Sequence, residues 1–308
     1  MSSLLFPVSE EEVKQSTFNI GGLKAPRADG LPAIFFQRYW NCCKKDLTQM
    51  VAECLVKGCV PEEINQTLIS LIPKIPNPTN MTQFRPISLC NTTYKILSKI
   101  LVQRIRSFLP ELVSPNQVAF VPGRQIQDNI VIAQEVLHKF KNVKGNKGFI
   151  AWKIDLAKAY DRLQWGFINQ VLEEVGIKGR FRNLIMSCIS SVQYRVILNG
   201  ELSGSFNPRS GIRQGDPLSP YIFVLCMEKL SHIISQKRIE GKWKTVQVSK
   251  GGPEISHLYF VDDLILFGQA TVHQAETMRE CLDTFCDLSG QQVSFPKLRV
   301  KLNIARCV

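Results

Sequence analysis

Apolar positions recur along the chain with two spacings, which predict helices interleaved with short strands. Ser9-Glu10-Glu11-Glu12-Val13 reads as a helix start with acids in its first turn. After a loop containing Pro26 and Gly30, Pro32 opens an amphipathic stretch to about Val56, closed by Gly58 and Pro61. Residues 68–72 predict a strand, and a turn with Pro73, Pro76 and Pro78 leads to a second strand at about 84–89, the pattern of a hairpin. Helical spacing returns over about 93–109 and 125–141. Residues 149–154 predict a buried strand ending at Asp155, followed by helices at about 165–175 and 179–190. Residues 194–198 and 204–206 predict a hairpin around Asn199-Gly200, and a helix is expected from Pro217 to Gln236. A hairpin of two short strands, 259–261 and 264–267, precedes a helix over about 271–288 stopped by Gly290. Strands that pair as hairpins among helices predict an α+β fold with an antiparallel sheet. Residues 1–64 read as a helical N-terminal section, and no linker interrupts the chain after residue 65.

The sharpest departure from this pattern lies in the hairpin at 259–267, where Asp262 and Asp263 are adjacent inside an apolar run. Burial disfavours a charged carboxyl, and two neighbours repel each other. Strand side chains alternate between faces, so two acids meant for one site predict a tight turn that holds both. Such a turn suits Mg2+, which takes a few carboxylates together with phosphate oxygens. Asp is also common in surface turns, a plainer reading that leaves the apolar flanks unexplained.

Composition changes the picture mainly through charge. The 308 residues are 44% hydrophobic and 21% charged, enough for two domains or one large α/β unit with subdomains. A net charge of +12 favours polyanionic partners, nucleic acid first. The ten cysteines are scattered without a CxxC pair, and the four histidines stand far apart. That spacing argues against a zinc finger and predicts reduced, mostly buried thiols. No basic-apolar leader and no apolar run of about 18 residues occurs, so a nuclear or cytoplasmic protein without a membrane span is expected.

Two further strings extend the candidate site. Asp155 ends an apolar strand and opens Asp155-Leu156-Ala157-Lys158-Ala159-Tyr160-Asp161. With Asp262 and Asp263 it predicts a three-acid site for two divalent ions. Two such ions about 4 Å apart can activate a 3′-hydroxyl and stabilise leaving pyrophosphate. By itself, a strand-end Asp is often only a helix cap. In Gly211-Ile212-Arg213-Gln214-Gly215-Asp216-Pro217, two glycines flank Arg213 and Gln214 just before the predicted helix. Glycines let a backbone approach a ligand, and a helix N-terminus favours anions. Asp216 as a cap with Pro217 at the first helical position explains part of this string.

Together these strings resemble the reverse transcriptases of LINE-type (non-LTR) retrotransposons, particularly the plant-like ones. FVDD at 260–263 is similar to the family's acidic box, IDLAKAYD at 154–161 to its first palm box, and GIRQGDPLSPYIF at 211–223 to its template and nucleotide box. LIPKIPNP (71–78), QFRPISLCNTTYKILSKILVQRI (83–105) and NQVAFVPGRQIQDNI (116–130) resemble its fingers, and KAPRADGLPAIFFQRYW (24–40) its upstream segment. The resemblance covers about residues 7–300. It implies right-hand polymerase fingers and palm, with an antiparallel palm sheet packed on helices and no thumb. Residues 1–64 would be an N-terminal extension of the reverse transcriptase and 65–308 its fingers/palm domain. The implied reaction is RNA-directed addition of dNTPs to a DNA primer 3′-OH, with two Mg2+ ions or Mn2+ in their place.

The resemblance also implies roles for single residues. Asp155 and Asp262 are the principal metal ligands and Asp263 completes the triad. Leu156 and Ala157 offer backbone amides along the triphosphate, and Tyr160 is the steric gate against a ribose 2′-hydroxyl. Gln214 and Gly215 contact the incoming nucleotide and the template. Lys74 and Arg85 grip the triphosphate, as their charges suit. Arg124 and Asn129 are template-contacting or structural, and Lys297 is a possible general acid for pyrophosphate.

Some positions depart from the family pattern. Arg27 stands where the upstream motif has Gly. Val261 replaces Ala and, being β-branched, is expected to suit a strand. Ser294 replaces Asn, and Leu298 replaces Ser after Lys297. The chain stops near the end of the palm, so the endonuclease and thumb of such elements are expected to be encoded elsewhere. A catalytically inactive nucleic-acid-binding remnant is the alternative function. An RNA-dependent RNA polymerase shares the acids, but Tyr160 argues against it.

Overall fold

The fold is seen in a computed structural model that describes residues 2–23, 28–142, 148–249 and 251–303, so Arg27 and the tail beyond 303 lie outside the described residues. In chain order its elements are α1 (Glu10–Phe18), α2 (Ala33–Arg38), α3 (Trp40–Lys57), β1 (Gln66–Pro73), β2 (Phe84–Cys90), α4 (Thr92–Arg106), α5 (Leu109–Leu112), α6 (Ile126–Asn142) and β3 (Phe149–Ile154). They continue with α7 (Ala159–Arg162), α8 (Trp165–Glu174), α9 (Gly179–Ser190), β4 (Gln193–Leu198), β5 (Glu201–Leu202), α10 (Ser219–Ile239), β6 (Val246–Gln247), β7 (Glu254–Ile255), β8 (His257–Phe260), β9 (Asp263–Gln269), α11 (Val272–Ser289) and β10 (Arg299–Asn303). Ser9 caps α1 by accepting from Glu12 N–H at 3.1 Å, as its acidic first turn predicts. The amphipathic stretch from Pro32 is two helices, because the backbone at Tyr39 leaves helical values (φ −102°, ψ 31°).

Two compact units share these elements. Unit 1 comprises residues 1–107 and 164–221; unit 2 comprises 108–163 and 222–308. In unit 1 a four-stranded sheet has the order β2-β1-β4-β5. β1 and β2 form the predicted antiparallel hairpin, Thr67↔Cys90 through Pro73↔Phe84. β4 joins β1 in parallel, Gln66↔Gln193 through Ser70↔Ile197, which hairpin logic does not predict. The Asn199-Gly200 turn has positive φ at both residues (51° and 88°), the signature of a tight hairpin. Its return strand is 201–202 rather than 204–206, and Phe206 instead bridges Tyr194.

In unit 2 a four-stranded antiparallel sheet has the order β10-β3-β9-β8. Val136 and Phe140 of α6 bury one face of it against Ala151, Leu258 and Phe267. Phe140 stacks on Phe149, ring centroids 5.4 Å apart. Leu264 and Leu266 are fully buried and alternate to the other face. There Gly268 lies against Met278 and Gln274 of α11. Both faces are covered, which is why 264–267 is apolar without alternation.

Thr271 caps α11 and Gly290 closes it, matching the predicted ends. Cys54, Cys90, Cys188, Cys226 and Cys281 are buried free thiols, whereas Cys42 and Cys59 are exposed. Among the described residues no helix is long and apolar enough to cross a membrane.

Candidate active site

The acids converge at one end of the unit 2 sheet. Phe260 pairs with Asp263, so the hairpin closes through a two-residue turn, Val261-Asp262. Only Asp262 sits in the turn; Asp263 begins β9. The expectation that the turn holds both acids is corrected in this respect. Val261 is corrected too: it occupies the first turn position with φ 57°, not a strand. That position normally takes Gly, and a β-branched residue there carries strain of about 1–3 kcal/mol.

Asp155 follows directly on β3. The register Ile154↔Leu264 brings it level with Asp263 on the neighbouring strand. Its carbonyl accepts from Ser294 N–H at 2.8 Å. The Asp155 carboxylate faces Lys297 Nζ at 3.1 and 3.2 Å. Asp263 faces Lys153 Nζ at 3.3 Å. Both pairs are solvent-accessible, so each is worth only about 0–1 kcal/mol.

Asp262 is exposed as a residue, but its carboxyl is partly shielded from water, and its pKa is raised, first by loss of solvation and then by the charges of Asp263 and Asp155. The three carboxylates therefore lie within electrostatic reach of one another. Among the described residues no three His, Cys, Asp or Glu side chains are gathered tightly enough to cage one ion. Mg2+ does not require such a cage, because it retains waters and takes substrate phosphate oxygens beside one or two carboxylates. An all-oxygen donor set with mutually repelling charges fits a hard divalent cation.

Tyr160 lies close to these acids. Its ring stacks on Phe223 at 5.1 Å with a 12° interplanar angle. Burial, and then the Asp262 charge, raise its phenol pKa. Leu156 is buried, and the Ala157 N–H donates to the Gln292 carbonyl at 2.8 Å. That amide therefore already has a protein partner. Arg124 and Asn129, left open between template contact and structure, both bond within the protein. Arg124 donates to the carbonyls of Val113 (2.7 Å), Ser114 (2.5 Å) and Gln117 (2.7 Å). Asn129 donates to the carbonyls of Asn116 and Tyr259, each at 2.9 Å.

Near Arg124, α10 carries the buried Glu228, whose pKa burial pushes up to about 7 against hydrogen bonds from Ser114 and Ser231 and the Arg124 charge. His232 is 4.0 Å away. A raised carboxyl contributes stability fully below its unfolded pKa, about 4.3, and loses it as pH rises through the folded value. Urea unfolding is thus expected to show the wild type losing stability relative to Glu228→Gln as pH rises from about 4.3 through about 7, on top of the gain that the buried His257, its pKa pushed down to about 3, gives both proteins as pH rises toward about 6.5. A stability difference between the two proteins that stays constant across that window would contradict this account.

The other predicted nucleotide contacts belong to unit 1. Lys74 follows β1, is exposed, and donates from Nζ to the Thr82 carbonyl at 3.1 Å. Arg85 is exposed on β2 opposite Ile72. Gln214 accepts at its carbonyl from Ser88 N–H at 2.7 Å. Gly215 has φ 110°, and a Cβ there would lie 3.0 Å from the Ser88 carbonyl oxygen. Gly215→Ala is therefore expected to lose about 1–3 kcal/mol in urea unfolding, from strain and close approach together.

The sequence reading missed what holds this loop. Arg213 and Asp216 are both buried, with Arg213 Nε 3.5 Å from Asp216 Oδ2. Arg213 lies over the Tyr94 ring at 3.9 Å and donates to Asn65 Oδ1 (2.7 Å) and the Cys188 carbonyl (2.6 Å). Asp216 accepts from Tyr94 OH (2.7 Å) and Ser98 Oγ (2.6 Å). Asp216 also accepts from Leu218 N–H at 3.1 Å, and α10 starts at Ser219 rather than Pro217. The expected cap is therefore corrected to an Asx turn ahead of the helix, and the buried charge pair is the larger feature.

The chain is 28% identical over 291 residues, 94% of its length, to a transposon TX1 uncharacterized 149 kDa protein of Xenopus laevis. It is 25% identical over 301 residues to the retrovirus-related Pol polyprotein from the type-2 retrotransposable element R2DM of Drosophila melanogaster. It spans 22% and 26% of those proteins, about a quarter of their length. Its fold is similar to that of an apo telomerase from Candida tropicalis truncated from the C-terminal domain, with a TM-score of 0.54 at 14% identity over 90% of this chain and 57% of the other. Residues 72–303, which carry both the acid-bearing sheet and the Gln214 loop, match the reverse transcriptase (RNA-dependent DNA polymerase) family, and the chain belongs to it.

Proposed function

We propose that this chain is the RNA-directed DNA polymerase domain of a plant-like non-LTR retroelement, with residues 1–64 extending a fingers/palm domain of 65–308. It adds dNTPs to a DNA primer 3′-OH opposite an RNA template. The observation that carries this reading is the meeting of Asp155 with the Val261-Asp262 turn and Asp263, in mutual electrostatic reach at one end of an antiparallel sheet.

Asp155 and Asp262 would hold two Mg2+ ions, with Asp263 as the third carboxylate. Bound Mg2+ (or Mn2+) supplies positive charge that lowers the pKa of a primer hydroxyl and offsets charge on leaving pyrophosphate. Before ions bind, Lys297 and Lys153 balance Asp155 and Asp263. Lys297, beside Asp155, would give a proton to the leaving group. The Tyr160 ring, held flat against Phe223, is the wall that a ribose 2′-hydroxyl would meet. In unit 1, Lys74 and Arg85 offer exposed positive charge to phosphate, and Gln214 and Gly215 face nucleotide and template.

The test is incorporation of dTTP on poly(rA)/oligo(dT) by the purified chain. Expected is Mg2+-dependent extension that EDTA abolishes and that strongly prefers dNTPs over rNTPs. Salt-sensitive RNA binding with no extension would instead identify a nucleic-acid-binding remnant.

A further inference from the structure

We propose that Gln117 is a positioning residue for Asp262, acting through the backbone amide of Val261. The inference rests on the polymerase reading for its kinetic consequence, but its geometric basis stands apart from that reading. Val261 holds φ 57° with a β-branched side chain. A conformation of that kind persists only where its surroundings over-determine it.

Those surroundings are the segment 114–118. It lies along the open edge of β8, with Gln117 bridged in parallel to Tyr259. Tyr259 N–H donates to the Asn116 carbonyl at 2.9 Å. Asn129 Nδ2 ties the two chains together by donating to the carbonyls of both Asn116 and Tyr259. Arg124 fixes the same segment from its other side through the Ser114 and Gln117 carbonyls.

From this frame the Gln117 side chain, only 1% exposed, reaches the turn. Its Oε1 accepts from Val261 N–H at 3.3 Å and from Ala119 N–H at 3.0 Å. Its Nε2 is buried without a hydrogen-bond partner. An unsatisfied buried amide nitrogen costs about 1–3 kcal/mol. Filling space does not require that cost, since Met has the same reach without it. The group that Gln117 alone supplies there is the acceptor for two backbone amides, one of them in the strained turn. Fixing that amide fixes the plane of the Phe260–Val261 peptide, where the chain enters the turn, and so restrains Val261 and the direction in which the next residue, Asp262, presents its carboxylate. Misplacement of a reacting group by about 1 Å can cost about a hundredfold in rate.

Gln117→Met removes the acceptor while keeping the shape. Three measurements on the full chain read the result. Hydrogen exchange at the Val261 amide should quicken at least about tenfold, because its protein partner is gone. Binding of Mn2+ alone, followed by electron paramagnetic resonance, should weaken. In primer extension kcat should fall by about 10–100-fold with the dNTP KM little changed, the signature of a misplaced carboxylate rather than a lost binding contact. Adding Val261→Gly to Gln117→Met should restore part of the kcat, since Gly takes positive φ without strain.

Unchanged Val261 exchange together with unchanged Mn2+ affinity would overturn the inference. So would a raised KM at constant kcat. If the wild type extends no primer, the polymerase reading fails, while exchange and Mn2+ binding still decide the role of Gln117. If Gln117→Met does not fold, the wild-type amide decides: protection like that of the β8–β9 ladder supports the anchor, and exchange like that of an open turn refutes it.

Discussion

Asp262→Asn is expected to abolish primer extension, by at least about a thousandfold, without loss of fold stability. The rate effect follows from charge. A metal contributes several kcal/mol of transition-state stabilisation, and each 1.36 kcal/mol is a factor of ten, so losing an ion ligand at about 4 kcal/mol gives about three decades. The stability effect has the opposite sign to that of most single substitutions. The Asp262 pKa is raised in the folded chain by desolvation and by Asp263 and Asp155. Its contribution is therefore fully present below the unfolded carboxyl pKa and is lost as pH rises through the folded value. At neutral pH the charge opposes folding, and a neutral amide of the same shape removes that opposition. Urea unfolding at pH 7 should show Asp262→Asn at least as stable as the wild type. A marked destabilisation, or retained extension, would contradict this account of the turn.

The second large effect lies in unit 1. Asp216→Ala should destabilise the chain by about 3–5 kcal/mol, because it leaves the Arg213 guanidinium buried without its counter-charge. Tyr94 OH and Ser98 Oγ lose their acceptor in the same step. At about 2–4 °C per kcal/mol for a unit of this size, the melting temperature should fall by about 6–20 °C. Arg213→Lys should also be costly. It retains charge but loses the planar fork that reaches Asn65 and the Cys188 carbonyl together. Differential scanning calorimetry of both variants checks this. A fall of only one or two degrees for Asp216→Ala would show that the pair contributes little. The ordinary expectation for an Asp before a helix is a cap worth about 1 kcal/mol, so the size of the effect separates the two roles.

Local elements were legible because backbone geometry converts periodicity directly into structure. The strand at 149–154, the β1–β2 hairpin and the α11 helix with its Thr271 and Gly290 ends all follow from spacing and cap residues. Asp155, Asp262 and Asp263 stood out because acids at the end of or inside apolar strands conflict with their surroundings. Gln214 was marked by the glycines on either side of its loop, whereas Tyr160, Lys74, Arg85 and Lys297 had no such sign, and only the resemblance to a family singled them out. Gln117 and the Arg213–Asp216 pair carried no local sign. A buried glutamine and a buried ion pair look in sequence like any polar residue in a loop.

The chain alone determined the order of elements, the tight turn between two apolar strands and the demand that its acids find a counter-charge. Those depend on interactions within a few residues. Tertiary structure decided the rest: that Asp155 comes level with Asp263, that β4 lies parallel to β1, that Val261 rather than a glycine takes the positive φ, and which amide Gln117 holds. Each depends on which distant segment supplies the hydrogen-bond partner or the opposing charge. Burial and pairing across the fold set that choice, and no local pattern encodes it.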